Sequence, residues 1–222
     1  MSSRIQFHEV VTADSYPSAR ELLMASARVF RDCAWTPAHE RDHVSMWTAE
    51  VEVEDLAAKQ VYERGALKAS IAIAAPREQV FAMVTSLERS AEWDPTHIGA
   101  TLIEDFGDGG KLYEDLSSLT RWGPKRGGVF LGLTLPDFSP GLSLFCDQSV
   151  IAPNWRDTYE PVDQQLFIWS VEDRPNGSGC ELTVMLTIPK HTWLVTENML
   201  AMKAGWPSIL TNVRSKAEAA VG

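Results

Sequence analysis

The most recognisable reactive pattern in the sequence is HERDH, from His39 to His43. It fits the HExxH pattern of zinc peptidases, in which two histidines one helical turn apart bind zinc and the glutamate acts as a base. The variable positions here are Arg41 and Asp42, both charged, whereas the buried zinc-binding helix carries uncharged residues there. No third ligand follows at a usual spacing. We therefore predict a solvent-exposed helical turn and no metal site.

The three cysteines, Cys33, Cys146 and Cys180, are odd in number, widely spaced and without a CxxC pair. This pattern provides neither a disulfide framework nor a structural zinc site, and free thiols suit a reducing compartment. The other histidines are isolated along the chain, so no nucleophilic pair can be assigned from sequence. The stretch GDGG lies between two predicted strands, which indicates a hairpin turn rather than a phosphate-binding loop.

The bulk properties exclude several classes of protein. The chain has 222 residues, a formal net charge of −10 and 45% hydrophobic residues, enough for a sizeable core. The negative charge repels phosphate backbones, so nucleic acid is not expected as a partner. The N-terminus has no apolar signal-peptide region, and no stretch approaches the roughly 18 consecutive apolar residues of a membrane span. We expect a soluble, cytoplasmic protein without a cofactor or a metal.

The first part of the chain predicts helices and then strands. Residues Tyr16 to Phe30 have apolar side chains at helical spacing, and a second short helix is predicted within residues 31–47. Strand signals begin near AKQVYERG and continue in ALKASIAIAA, where Leu67, Ala69, Ile71 and Ile73 share one face. The next stretch, PREQVFAMVTSL, predicts an amphipathic helix with Val80, Phe81 and Val84 facing inward.

The rest of the chain predicts a meander of strands and one final helix. Turn signals such as GDGG and RPNGSG separate six strand-like segments, so the sheet should be largely antiparallel and the fold class α+β. The final helix has a continuous apolar stripe, and Pro207 predicts a kink or a restart within it. The stripe consists of Val195, Met199, Met202, Trp206, Ile209 and Val213.

Four segments, in order, resemble the START domain, a lipid-transfer family with the helix-grip fold. They are GALKASIAIAAPREQVFAMV, then EWDPTHIGATLIEDFGDGGKLYED with its Trp-Asp-Pro, then GPKRGGVFLGLTL, and finally IPKHTWLVTENMLAMKAGWPSIL. The resemblance covers roughly residues 45 to 220. The chain departs from the family at Arg126, where Gly127 and Gly128 follow instead of Asp and Phe. It also has Gly132 near the position of an inner arginine found in some sterol-binding members.

The resemblance implies a curved antiparallel sheet wrapped around a long C-terminal helix, with N-terminal helices. It also implies two parts, an N-terminal helical extension over residues 1–45 and a lipid-binding domain over residues 46–222. The implied function is non-catalytic binding of a lipid or another hydrophobic molecule in an internal cavity, with transfer and transient membrane contact as further expectations. Trp122 and Trp155, in predicted loops, are candidates for such membrane contact.

The predicted ligand-binding residues follow from the resemblance and from the apolar stripe. Tyr113, Arg126, Asp147 and Thr183 are candidates to orient a polar head group. The predicted set for the cavity is Tyr113, Arg126, Leu131, Leu133, Phe145, Trp169, Val184, Met199, Met202, Trp206, Ile209 and Val213.

Two alternatives remain open. Some helix-grip relatives are polyketide cyclases that use cavity carboxylates as acid and base, for which Asp94, Glu114 and Asp115 are candidates. Glu114 and Asp115 are adjacent on a predicted strand, so only one of them can face the cavity, and Asp94 next to Pro95 also suits a turn. The second alternative is a ligand-sensing adaptor whose first 45 residues contact a partner protein. A buried reactive acid in the cavity would favour the enzyme.

Overall fold

The structure is a computed structural model that describes residues 4–7, 11–56, 59–118, 125–150, 160–162, 165–175, 177–187 and 195–221. Within these residues the helices are α1 (Tyr16–Arg31), α2 (Arg77–Thr85) and α3 (Val195–Ala219), with a short 3-10 helix over Leu87–Glu92. The strands are β1 (Ile5–Phe7), β2 (Thr36–Arg41), β3 (Val44–Asp55), β4 (Gln60–Ile73), β5 (His97–Gly107), β6 (Gly110–Ser118), β7 (Lys125–Ser139), β8 (Leu142–Val150), β9 (Glu160–Pro161), β10 (Leu166–Asp173) and β11 (Cys180–Thr187).

All of these strands belong to one curved sheet. The strand order is β1-β3-β4-β11-β10-β8-β7-β6-β5, with β2 paired to β3 and β9 paired to β7. Only β1–β3 and β9–β7 are parallel among the described pairs, so the sheet is largely antiparallel, as the hairpin-type turns predicted. The predicted α+β helix-grip fold is confirmed.

The sheet separates two hydrophobic cores, because successive side chains on a strand point to opposite faces. The inner core lies between the sheet and helices α2 and α3, and the predicted inward residues Leu67, Ala69, Ile71 and Ile73 all belong to it. The outer core lies between the other face and α1. On α1 the buried residues are Tyr16, Ala19, Leu23, Ser26, Ala27 and Phe30.

The hairpin of β2 and β3 shows that one predicted element is wrong. The expected second helix within residues 31–47 is replaced by these two strands, whose turn residues Asp42 and His43 have φ values of 55° and 64°. Positive φ at both turn positions is typical of a tight two-residue hairpin. Every residue of β2 is exposed, so this edge strand carries no alternating hydrophobic pattern that the sequence could reveal. HERDH therefore lies on a strand and a turn.

The predicted boundary after residue 45 falls inside β3. On its N-terminal side, β1 pairs with β3 and α1 packs over the outer face of the same sheet. The division into an N-terminal extension and a ligand-binding domain stays a prediction. The two predicted parts contribute strands to the same sheet, so they would differ in role and would not be separate folding units.

Helix α3 continues from Val195 through Pro207 to Ala219, so the predicted restart is absent from the helix as described. The hydroxyl of Thr211 donates a hydrogen bond of 2.7 Å to the carbonyl of Pro207. Beyond the proline, the helix is held to the rest of the fold: Asn212 donates to the carbonyl of Trp93 at 3.2 Å, and Glu218 accepts from the amide of Ala74 at 2.9 Å. No described helix is both long and apolar enough to cross a membrane.

Candidate ligand-binding cavity

A cavity of about 240 Å³ lies between the inner face of the sheet, the 3-10 helix and α3. Aromatic side chains from four strands, from α3 and from the end of the 3-10 helix form much of its wall, together with Val84, Leu87, Leu186 and Ile209. The aromatic lining residues are Trp93, Tyr113, Phe130, Phe145, Phe167, Trp169 and Trp206. This wall offers a large apolar contact surface to a molecule that enters.

Three tryptophans in this wall contact one another through their ring edges. The ring centroid of Trp169, on β10, is 5.7 Å from that of Trp93 and 5.7 Å from that of Trp206, with interplanar angles of 88° and 76°. Edge-to-face pairs of this kind are favourable beyond the area that they bury. Trp169 thus links the end of the 3-10 helix to α3 across the cavity.

The polar part of the cavity is built around Tyr113 on β6 and Asp147 on β8. The Tyr113 hydroxyl donates a short hydrogen bond to Oδ2 of Asp147, and both side chains are buried. Strand β7 runs between β6 and β8, so the tyrosine must cross it to reach the carboxyl group. The residue of β7 that pairs with Asp147 is Gly132.

Gly132 makes this crossing possible because it has no side chain. A Cβ atom at this position would lie 2.9 Å from Cε1 of Tyr113 and 3.3 Å from Cε2 of Phe145. The first distance is shorter than a normal carbon–carbon contact. The ring of Tyr113 therefore occupies the space over Gly132, near the position at which some sterol-binding START members have an inner arginine.

Burial dominates the chemistry of Asp147. It raises the pKa of Asp147 to about 8; the hydrogen bond from Tyr113 opposes this rise, and the negative charge of Asp115 adds to it. The pKa of Tyr113 is also raised well above its usual value, first by burial and then by the nearby carboxyl groups. Both shifts favour the protonated forms of the pair, a phenol and a carboxylic acid. Oδ1 of Asp147 has no hydrogen-bond partner among the described residues.

A second polar pair lines the same cavity. Nδ1 of His97, on β5, lies 3.2 Å from Oδ1 of Asp115 on β6. Burial alone would lower the pKa of His97, but the hydrogen bond and charge of Asp115, with the charge of Asp94, outweigh burial and raise it. Asp94 itself accepts hydrogen bonds from the amide and the hydroxyl of Thr96, at 2.8 and 2.6 Å, as expected for a turn carboxylate beside Pro95.

A second cavity of about 330 Å³ lies on the other side of Tyr113 and Phe145, towards β5 and the end of α2. Leu87, Tyr113 and Phe145 form the wall that the two cavities share. Lys111 and Glu88 line only this second cavity. These two side chains of opposite charge thus lie beyond the Tyr113 ring, outside the first cavity.

Five residues of the predicted ligand-binding set line the first cavity. Two more, Val184 and Val213, are buried in the inner core but do not line the cavity. Asp147, predicted as a head-group residue, also lines it, and of the adjacent pair on β6 it is Asp115 that does so. The five are Tyr113, Phe145, Trp169, Trp206 and Ile209.

Other predicted positions need correction. Leu131 and Leu133 belong to the outer core beneath α1, because the inward residues of β7 are Phe130 and Gly132. Arg126 and Thr183 line neither cavity.

Some predicted positions lie outside the described residues. This applies to the side chains of Met199 and Met202, and to Trp122 and Trp155 as whole residues.

Sequence reasoning missed Trp93, His97 and Phe167 as cavity residues. Phe167 could have been found, because it is two residues from Trp169 on one strand and therefore shares its face. His97 could not, because it meets Asp115 only through the pairing of β5 with β6, which contains irregular register shifts.

Comparison with known proteins places this geometry in a recognised fold. No family model and no curated protein match the chain. Human StAR-related lipid transfer protein 5 superposes with a TM-score of 0.69 at 14% identity, over 95% of this chain and 98% of that protein. A STAR-related lipid transfer protein from Xanthomonas axonopodis superposes with a TM-score of 0.63 at 15% identity, over 83% of this chain and 99% of that fragment. The chain has the START fold.

The START-like fold is shared with enzymes. The Zhui aromatase/cyclase from Streptomyces superposes with a TM-score of 0.51 at 13% identity, over 71% of this chain and 95% of that chain. Identities this low establish the fold alone, because one fold supports many functions. The function must be argued from the residues of the cavity.

Proposed function

We propose that this protein binds a hydrophobic small molecule, such as a lipid, in the cavity between the inner sheet face and α3, without catalysing a reaction. The observation that carries the proposal is the aromatic cavity wall itself: most of the surface that lines the cavity is apolar, and the polar side chains form the smaller share. A mostly apolar pocket with a small number of placed polar groups is typical of a ligand site. The START-like fold of proteins named for lipid transfer supports the same proposal.

The cavity sets the size of the molecule. Its volume of about 240 Å³ lies just below the roughly 300–1,000 Å³ that is usual for ligand pockets. Each Å² of apolar ligand surface removed from water contributes about 25 cal/mol, so a compact apolar molecule gains most of its affinity from the tryptophan wall. We therefore propose a compact ligand, or one compact part of a larger lipid, as the molecule held beside Trp169.

Transfer between membranes, transient membrane contact and a cytoplasmic location belong to this proposal as its finer parts. A net charge of −10 disfavours electrostatic adsorption to anionic lipid surfaces. We therefore expect any membrane contact to involve apolar insertion rather than charge attraction. Release of bound ligand to neutral vesicles, compared with vesicles that contain anionic lipid, would measure this preference.

The first test is native mass spectrometry of protein purified gently from its own cells, followed by organic extraction of the bound molecule. A stoichiometric hydrophobic compound is the expected result. Protein that is empty, and stays empty after incubation with mixed lipid vesicles, would contradict the proposal.

A matched pair of variants sharpens this test. Gly205 lines the cavity, and a Cβ atom there meets nothing within 4 Å among the described residues. Gly205→Leu should therefore fill the cavity and reduce ligand occupancy, while replacing a helix glycine stabilises α3 by about 0.5–1 kcal/mol. Ser208→Leu adds the same side chain at an exposed position of α3 and should leave occupancy unchanged. Equal occupancy in both variants would count against this cavity as the binding site.

A second candidate function is acid–base catalysis of the cyclase type, and a specific observation favours it. The neutral acid Asp147 and the His97–Asp115 pair line the same cavity, so a proton donor and a proton acceptor are available to one bound molecule. The aromatase/cyclase with the same fold is consistent with this candidate.

A small diketone tests the catalytic candidate. Heptane-2,6-dione closes by intramolecular aldol addition and loses water to give 3-methylcyclohex-2-enone. Formation of this enone above the buffer rate, and its loss in His97→Gln, would support catalysis. A wild-type rate equal to the buffer rate would leave binding as the better function.

A further inference from the structure

The ligand preference of the cavity follows from which polar groups line it and which charges they carry. Asp147 is 8% exposed, lines the cavity, and uses Oδ2 to accept the hydrogen bond from Tyr113. Its other oxygen, Oδ1, is buried without a hydrogen-bond partner among the described residues. A buried polar atom that lacks a partner is costly, and a bound ligand can supply the missing hydrogen bond.

The proton of Asp147 decides what that ligand atom must be. When Oδ2 accepts the hydrogen bond from Tyr113, the proton of the neutral acid lies on Oδ1, which is then a hydrogen-bond donor. Its preferred partner is an oxygen with a free lone pair. Burial is the main reason that this carboxyl keeps its proton, and burial is not removed when a hydrophobic ligand fills the cavity.

The other charges near Asp147 disfavour an anionic ligand. Asp94 and Asp115 line the cavity, and no lysine or arginine is present among its described lining residues. His97 is the described lining residue that can be positively charged, and Asp115 already lies 3.2 Å from it. A carboxylate or phosphate that entered would meet acidic groups without a free cation, which is unfavourable in a desolvated site.

We propose that the cavity selects molecules with an uncharged, oxygen-bearing head group, a ketone or hydroxyl oxygen that accepts a hydrogen bond from Asp147, and rejects carboxylates and phosphates. The inference rests on the proposed ligand-binding function and names the chemistry of its ligand. It assigns to Asp147 and Tyr113 the recognition of the head group, and to the tryptophan wall the binding of the apolar body.

Three probes with one skeleton test the inference: 2-acetylnaphthalene, 2-ethylnaphthalene and 2-naphthoate. They share a bicyclic apolar body and differ in carrying a ketone, no oxygen, or a carboxylate. Isothermal titration calorimetry at about pH 6, below the pKa of Asp147 of about 8, should give a Kd for the ketone about tenfold lower than for the hydrocarbon. The naphthoate should bind at least about tenfold more weakly than the ketone.

Variants at one position separate the head-group contact from the rest of the site. Asp147→Leu should abolish the preference for the ketone over the hydrocarbon, measured as the ratio of their two Kd values in the same variant. Asp147→Asn retains a donor and should keep the ketone preference. Asp14→Leu, at an exposed aspartate far along the chain from the cavity residues, is the control and should change none of the three affinities.

A direct readout of the proton complements the affinities. The carboxyl carbon of Asp147, followed by NMR through a pH titration, should show a higher midpoint when 2-acetylnaphthalene is bound than when the cavity is free. The reason is linkage: a ligand that binds the protonated acid raises its pKa. An unchanged or lowered midpoint would contradict the proposed hydrogen bond even if Asp147→Leu failed to fold.

The outcomes distinguish the inference from the function on which it rests. The expected pattern is ketone binding tighter than hydrocarbon, and both tighter than carboxylate. Equal binding of the ketone and the hydrocarbon, or tightest binding of the naphthoate, would overturn the inference but leave a hydrophobic cavity in place. No binding of any probe, together with an empty protein from cells, would overturn the ligand-binding function and the inference with it.

Discussion

The two faces of the sheet are formed by the same strands but differ in how completely they are packed. On β8, Leu144 and Cys146 point into the outer core, while Phe145 and Asp147 point into the inner core. The outer core is filled by α1 and holds aliphatic side chains such as Leu133, which has no exposure. The inner core holds most of the large aromatic rings, a buried acid and an open volume.

This difference separates two roles along one strand. A closely packed apolar face contributes stability, since buried methylene groups are in contact with their neighbours. A face with a cavity and a buried acid is less stable than it could be, which is common at binding sites. We therefore expect changes on the outer face to affect stability without affecting the ligand, and changes on the inner face to affect both.

The largest expected effect comes from the proton on Asp147. Its folded pKa of about 8 lies above the roughly 3.9 of an unfolded aspartate. Between these values the folded state holds a proton that the unfolded state releases, so stability should fall as pH rises from about 4 to about 8 and then level off. The slope reaches about 1.4 kcal/mol per pH unit, and the total over this range is about 5–6 kcal/mol.

Urea denaturation of the wild type and of Asp147→Asn across this pH range measures the effect. The charged or titratable groups that influence Asp147 are Tyr113 and Asp115, and His97 adjoins them on β5. All three are present in both proteins, so most of their own titration cancels in the difference between the two curves. Two parallel curves would show that Asp147 is ionised in the folded state.

The next effect tests the outer face. Leu133→Ala removes a fully buried side chain beneath α1 and should lower the free energy of unfolding by about 3 kcal/mol. The affinity for 2-acetylnaphthalene should stay within about twofold where the variant is folded. Phe145→Leu is the corresponding change on the inner face. Compared with Leu133→Ala, it should lower the free energy of unfolding less and change the affinity for 2-acetylnaphthalene more. A clear loss of affinity in Leu133→Ala would break the separation of the two faces.

Gly132→Ala tests how the inner face makes room for its polar pair. The added Cβ would lie 2.9 Å from Cε1 of Tyr113, so the ring must move and its hydrogen bond to Asp147 must weaken. We expect a loss of about 1–3 kcal/mol in unfolding free energy. Gly99→Ala on β5 is the control, because its Cβ would meet nothing within 4 Å. Equal stability of the two variants would show that Tyr113 does not depend on the gap at Gly132.

The sequence predicted the fold class, the meander and the apolar face of α3 because these depend on local patterns and on the order of the elements. It placed Leu131 and Leu133 on the wrong face because VFLGLTL is apolar at nearly every position. A strand buried on both faces has no period-two signal. Gly132 also faces inward, and a glycine gives no sign in the sequence of which face of the strand is buried. Its role becomes clear only from the structure, in which the ring of Tyr113 lies over it.

The polar residues of the cavity could be predicted only in part. Tyr113 and Asp147 were candidates as single residues, yet their pairing across β7 depends on two strand registers that no local pattern specifies. The His97–Asp115 pair depends in the same way on the irregular register of β5 and β6. Strand β2 was missed for a different reason. Its residues are all exposed and carry no strand pattern of their own, and it is a strand because it pairs with β3.

The smallest expected effect sharpens the comparison within the inner face itself. Asp115→Asn removes a negative charge that raises the pKa of His97 through a hydrogen bond and of Asp147 through space. The nearby negative charge favours the protonated form of each group, the cation of His97 and the neutral acid of Asp147. Both pKa values should therefore fall when this charge is removed. Stability should change by about 1 kcal/mol or less, since Asp115 is partly exposed. NMR titration of the His97 ring and the Asp147 carboxyl measures both shifts in one sample, and a fall at His97 alone would mean that the two polar pairs act independently.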